Sequence, residues 1–209
     1  MKDFANPKIY LVTPPEPDLG GRYQKQLIKL LEEHEITCLR LRLSSEEETA
    51  LCKISDTLRK ICHNYDVAII IDQHMKLVHR FGLDGVHLND GAQNVLRARK
   101  LLGKDLIVGA FCGVSRHAGM VAAEVGADYV SFGPVNRTNL GEEAIAQTDL
   151  IKWWSQIIEV PVVAEGPFNG GCLPQIVQYA DFLAFGNELW ENDDPSACLE
   201  TIIAGARTP

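Results

Sequence analysis

The chain has 209 residues, 46% apolar and 23% charged, with 28 acidic against 20 basic side chains and a formal charge of −8. That length can bury a real core, and the acidic balance disfavours non-specific binding to nucleic acid or to an anionic membrane. No apolar stretch approaches the roughly 20 residues of a membrane span, Met1-Lys2-Asp3-Phe4 does not open a signal peptide, and six scattered cysteines without a C-x-x-C pair fit a reduced set, so a cytoplasmic location is expected.

Strand and helix signals alternate along the chain. Lys8 to Thr13 is the first predicted strand, ended by Pro14-Pro15-Glu16-Pro17. Arg22 to His34 is amphipathic, with Leu27, Leu30 and Leu31 at helical spacing. Thr37 to Leu43 is a second strand. Ser44-Ser45 before Glu46-Glu47-Glu48 then offers an N-cap and an acidic first turn to a helix running to about His63. Val67 to Asp72 and Gly85 to Leu88 are strands three and four, with a helix over about Met75 to Phe81 between them. Gln93 to Leu102 is a helix stopped by Gly103. Leu106 to Ala110 is strand five, Arg116 to Val125 a helix ending at Gly126, and Tyr129 to Phe132 strand six. Thr148 is expected to cap a helix carrying Trp153-Trp154, a pair read either as packing on the fold or as an exposed homodimer contact. Pro161 to Ala164, a helix over Leu173 to Tyr179, strand eight at Phe182 to Phe185 and a last helix from Asp194-Pro195 complete the series.

Eight β-α units in this length predict an α/β fold, a (β/α)₈ TIM barrel forming a single domain over residues 1–209. An open doubly wound sheet would need a Gly-rich fingerprint after the first strand, and Gly20-Gly21 is too far from it and wrongly spaced. In such a barrel chemistry belongs at the C-terminal strand ends, where the strand-to-helix loops converge.

Those ends carry the candidates. Arg40 and Arg42 share one face of strand two, opposite Leu39, Leu41 and Leu43. Buried arginines need anions, so they either pair internally with Asp72 or Glu165 or clamp a phosphate. Asp72 and Asp90 end adjacent strands and could share one Mg²⁺; alternatively Asp90 caps the next helix and Asp72 pairs with Arg42. His87 points inward between Val86 and Leu88 and reads as a core histidine. His117, in the loop after strand five, could act as acid or base, and His74 is a weaker candidate. Gly166 after strand seven, with Gly186 and Asn187 after strand eight, stands where a barrel of this type builds a phosphate seat from backbone N–H groups.

With these residues in place, the chain resembles the thiamine-phosphate synthase/thiazole tautomerase superfamily over nearly its whole length. The resemblance lies in Ile9-Tyr10-Leu11-Val12-Thr13, Asp84-Gly85-Val86-His87-Leu88, Gly113-Val114-Ser115-Arg116-His117, Ala127 to Val135 and Val160-Pro161-Val162-Val163-Ala164. It implies a synthase that joins a pyrimidine diphosphate to a thiazole phosphate and releases pyrophosphate. Arg40, Arg42, Ser115 and Thr138 would contact the diphosphate, Asp72 and Asp90 would hold Mg²⁺, and Gly166, Gly186 and Asn187 would hold the thiazole phosphate. Alternatives are a thiazole tautomerase with His117 as acid/base, or a barrel that binds a phosphorylated small molecule without turnover. The chain departs from the family pattern at four places. Arg40, Arg42 and Ser44 replace Gln-x-Arg-x-Lys. Asp72-Gln73 replaces Asn-Asp, and the second metal carboxylate falls near Ala92. Thr138 to Gly141 lacks the lysine of Thr-x-Thr-Lys. Glu165-Gly166-Pro167 stands where an apolar residue and paired glycines are expected.

Overall fold

Period-two alternation decides which side chains of each strand enter the barrel, and the computed structural model, which describes residues 7–45, 47–137, 144–168 and 173–206, follows it. The strands are β1 (Lys8–Val12), β2 (Ile36–Leu41), β3 (Ala68–Asp72), β4 (Gly85–Leu88), β5 (Ile107–Phe111), β6 (Tyr129–Phe132), β7 (Val162–Glu165) and β8 (Phe182–Phe185). Each pairs in parallel with its neighbours in sequence, and β1 pairs with β8 to close the ring. Between and after them lie α1 (Arg22–Glu33), α2 (Glu48–His63), α3 (Val78–Phe81), α4 (Val95–Leu102), α5 (Arg116–Glu124), α6 (Thr148–Ile157), α7 (Leu173–Ile176), α8 (Asn187–Trp190) and α9 (Pro195–Ala206). This is the (β/α)₈ barrel expected from the sequence.

Outward-facing Leu11, Leu39, Leu41, Ile69, Ile71, Val130 and Phe185 join the helices in one large apolar layer. Inward-facing Tyr10, Val12, Cys38, Ile70, Tyr129, Val163 and Ala184 form a smaller interior core. Three aspartates pin the N-terminal rim. Asp84, Asp128 and Asp181 each stand just before an even-numbered strand and accept, through Oδ2, the backbone N–H of Ile69, Val108 and Val162 at 2.7, 2.7 and 2.8 Å. The backbone N–H of each aspartate returns a bond to the carbonyl of that same residue. Strands are thereby tied in pairs at the end away from the candidate site.

Local details differ from the sequence expectations at helix starts. Gln147, not Thr148, is the N-cap of α6, and Thr148 is its first helical residue. Glu47 occupies the N-cap of α2 without a side-chain capping bond to the helix backbone, in place of Ser44 or Ser45. Strand β2 ends at Leu41, leaving Arg42 just beyond it at the rim. Trp154 is buried edge-on against Phe132 and Trp153 lies under the Arg116 guanidinium, so the pair packs on the barrel. Helices α1 and α9 are laced together by Arg22–Asp193 at 2.9 Å, Lys29–Asp194 at 2.6 Å and His34–Ser196 at 2.7 Å. No helix among the described residues is long and apolar enough to cross a membrane.

One glycine sets the shape of the interior. A Cβ on Gly109 would stand 2.1 Å from Cζ of Tyr129, so β5 must be bare there for that ring to enter. Replacing Gly109 by Ala overpacks the barrel and is expected to cost about 1–3 kcal/mol. Denaturant unfolding checks it: an unchanged midpoint would mean that Tyr129 does not claim this space.

Candidate functional site

The arginine that β2 sends inward meets two carboxylates. Arg40, 4% exposed, donates from Nη1 to Glu165 Oε1 at 2.8 Å and from Nη2 to Oε2 at 3.1 Å. Its Nε lies 3.4 Å from Asp72 Oδ1, and its guanidinium sits over the Tyr10 ring. Burial alone would drive Arg40 towards neutrality, but Glu165, Tyr10 and Asp72 hold its pKa above the ordinary value. Burial would likewise raise Glu165, yet the charge and forked hydrogen bonds of Arg40 keep that carboxyl down at about 2. Asp72 is pushed up by burial, which outweighs the pull of Arg40.

The network continues inward. His87 is fully buried, and its Nδ1 shares a 2.7 Å hydrogen bond with the Tyr129 hydroxyl, which lies 2.9 Å from that of Tyr10. Burial and the neighbouring Arg40 charge lower the His87 pKa to about 3, so the ring is neutral near pH 7. Its 3.6 Å approach to Glu165 is then no salt bridge. These groups form a polar plug in the barrel, consistent with His87 as a core histidine.

Above the plug lies a cleft of ≈ 540 Å³ at the C-terminal rim. Val12, Pro15, Arg42, Arg137, Gly166, Pro167, Gly186 and Asn187 line it, with Glu165, Glu188 and Glu191, and Arg40 forms part of its floor. Arg42 is fixed by donating from Nη2 to Asn187 Oδ1 at 3.1 Å, and its backbone N–H donates to Thr13 Oγ1 at 3.0 Å. Trp190 braces the end of β1 from outside the lining, donating from Nε1 to the Val12 carbonyl at 2.6 Å and stacking edge-on against Tyr23. The cleft thus gathers Arg40, Arg42, Gly166, Gly186 and Asn187 from β2, β7 and β8.

The other sequence candidates lie apart from it. Ser115 is the N-cap of α5, its hydroxyl accepting from the Ala118 N–H at 3.1 Å, and His117 is exposed in the first turn of that helix. Neither is among the described residues lining the cleft. Asp72 belongs to the plug, where Asn89 Nδ2 lies 3.4 Å from its Oδ2. Asp90 accepts from Asn94 Nδ2 at 2.5 Å. One oxygen of each, Oδ1 in both, is buried without a hydrogen-bond partner among the described residues. No group of three or more His, Cys, Asp or Glu side chains that could hold a metal ion occurs among the described residues. Thr138 lies outside the described residues. Sequence reasoning missed α8 and, with it, Glu188 and Trp190: four residues are too few for a helical period, and the one available signal was a tryptophan just past a strand end.

Comparison with known proteins agrees with this architecture. Residues 9–187 match the family described as thiamine monophosphate synthase. A thiamine-phosphate synthase of Rhodospirillum centenum is 37% identical over 187 residues, covering 88% of this chain and 90% of that protein. One from Erythrobacter litoralis is 33% identical over 196 residues, 91% of each chain. Among solved structures, thiamine phosphate pyrophosphorylase from Pyrococcus furiosus superposes with a TM-score of 0.81 at 20% identity, over 98% of this chain and 99% of that one, a likeness of fold.

The plug makes two measurable demands. Replacing Arg40 by Met strands Glu165 as an uncompensated buried charge and is expected to cost about 3–5 kcal/mol, most of it regained in the Arg40→Met/Glu165→Gln pair. Equal losses in both proteins would show that the ion pair is not what fails. Acid should weaken the fold in two steps. His87, held neutral down to about 3 against an ordinary 6.5, gives stability that is lost as pH falls from about 6.5 to 3. Glu165, held at about 2 against an ordinary 4.5, gives stability that is lost between about pH 4.5 and 2. Asp72, shifted upward, opposes this with the reverse sign. Unfolding midpoints measured from pH 7 to 3 should fall, and a flat profile would contradict the buried neutral imidazole.

Proposed function

The chain belongs to the thiamine monophosphate synthase family, and from that premise we propose that it joins a pyrimidine diphosphate to a thiazole phosphate in thiamine biosynthesis. The observation that carries this reading is the cleft itself, where two arginines and two strand-end glycines face one another across β2, β7 and β8. In the proposed reaction the bond from the pyrimidine methylene carbon to the diphosphate oxygen breaks, and its electron pair leaves with pyrophosphate. The thiazole nitrogen then donates its lone pair to the resulting carbocation.

Charge stabilisation is what such a site has to provide, because negative charge grows on the departing group. Arg40 is already matched by Glu165 and Asp72, so its cation is largely spent on the plug. Arg42 and Arg137, at the rim, carry the part that the family lysines would play, and Thr138 is assigned a hydroxyl contact to the diphosphate, while the Ser115 hydroxyl is taken by the α5 N-cap away from the cleft. Gly166, Gly186 and Asn187 hold the thiazole phosphate.

Asp90 offers a buried carboxylate oxygen that accepts no hydrogen bond among the described residues, whereas the corresponding oxygen of Asp72 faces Arg40 Nε at 3.4 Å, so the two would hold a divalent cation only by drawing Asp72 out of that ion pair. Two protein carboxylates are an ordinary complement for Mg²⁺ when phosphate oxygens and water complete the shell. The chemistry a bound Mg²⁺ supplies is neutralisation of the diphosphate as it leaves.

A coupling assay with the two substrates tests the proposal. The wild-type protein should form thiamine phosphate and pyrophosphate, and chelation of Mg²⁺ should abolish both. Arg42→Ala should lower kcat/KM by about 10²-fold, the scale of one lost charge-stabilising contact. Wild-type protein that binds both substrates with Mg²⁺ yet yields no product would overturn the coupling reading and leave a binding barrel.

A further inference from the structure

Two glycines at neighbouring strand ends leave a notch, and one of the chain's own carboxylates fills it. A Cβ on Gly166 would stand 2.3 Å from Glu188 Oε1, and one on Gly186 would stand 3.6 Å from Glu188 Oε2 and 3.9 Å from Arg42 Nη2. The Gly186 N–H donates to Glu188 Oε2 at 3.0 Å, so the side chain folds back onto the strand end it has just left. Oε1, buried, finds no hydrogen-bond partner among the described residues. The carboxylate therefore lies among the backbone and arginine groups assigned above to a phosphate.

We infer that Glu188 is a built-in competitor for that seat: its carboxylate holds the notch between Gly166 and Gly186 until a ligand's phosphate displaces it, and so sets how strongly phosphate-bearing ligands bind relative to uncharged ones. The inference rests on the reading of this notch as a phosphate seat. One N–H cannot serve two anions well, and two anions in contact in a half-buried site repel each other. Room is a second obstacle, because Glu188 Oε1 already fills the space that the missing side chain of Gly166 leaves open. The surrounding charge is mixed, with Arg42 attracting the carboxylate and Glu191 repelling it, while burial favours its neutral form. A resident anion so placed can be dislodged, at a cost that any phosphate must meet and a neutral tail need not.

Calorimetric titration of the wild-type protein, Glu188→Ala and Glu188→Gln with a thiazole phosphate and with its dephosphorylated alcohol tests this directly. Glu188→Ala should bind the phosphate about tenfold more tightly or better. Glu188→Gln keeps the shape without the charge, and should gain less. Alcohol affinity should stay within about twofold in all three. If the wild-type protein binds the phosphate and neither variant binds it more tightly, Glu188 is no competitor, although the seat stands. Equal gains for phosphate and alcohol would also overturn the inference, making Glu188 a steric plug. If none of the three proteins binds the phosphate while the alcohol still binds, the seat itself is misassigned and the inference goes with it.

Discussion

A guanidinium inside a closed barrel must find its counter-charge there, and the forked pair Arg40–Glu165 meets that demand across the ring from β2 to β7. Removing two ions from water is expensive, and their attraction offsets it only when geometry is good and remaining polar atoms are served. Much of the interior follows from that condition. Asp72 adds a second negative neighbour to Arg40, Tyr10 presents its ring to the same cation, and His87 stays neutral beside it, held by Tyr129. Gly109 leaves the space for the tyrosine ring. The interior is therefore ionic and aromatic towards the candidate site, while the outer layer is apolar, its aliphatic side chains mixed with aromatics such as Phe132, Trp154 and Phe185.

The barrel was legible because its signals are repetitive. Leu39 and Leu41 against Arg40 report a strand with one greasy and one polar side, and eight such units leave few topologies. The side-chain geometry was less legible. Both partners named for Arg40 are engaged at once, a matter of register that spacing does not decide. Arg42, expected on the same face, lies past the end of its strand and bonds Asn187, because β2 stops earlier than its apolar run. Ser115 and His117 sit in a block that reads as chemical, yet in this structure the serine hydroxyl caps a helix and the imidazole faces solvent. Asp84 and Asp128, in two of the blocks that carry the family resemblance, bind backbone at the rim opposite the cleft, so part of that resemblance records how the barrel is sewn together.

Family membership and local charge pull in different directions at the cleft. Two lysines of the family pattern are absent, Arg40 is committed to internal partners, and Glu165, Glu188 and Glu191 reach the lining. Net positive charge is thus scarcer here than three arginines suggest. Departures of this kind change how firmly an anion is gripped without touching the fold, since the strand ends can vary while the aspartate-pinned rim stays fixed.

The lacing of α1 to α9 has a consequence for how this chain comes into being. Strand β1 waits for β8, about 170 residues later, before its second edge is covered. At ribosomal speeds of about 5–20 residues per second, that is roughly 10–30 s in which an apolar strand edge is open to the wrong neighbour. In the folded chain Lys29, Arg22 and His34 hold Asp193, Asp194 and Ser196, so the segment that follows β8 is tied back to the helix that follows β1. Ring closure is in this sense a late, long-range event, and these polar contacts between first and last helices are its latch.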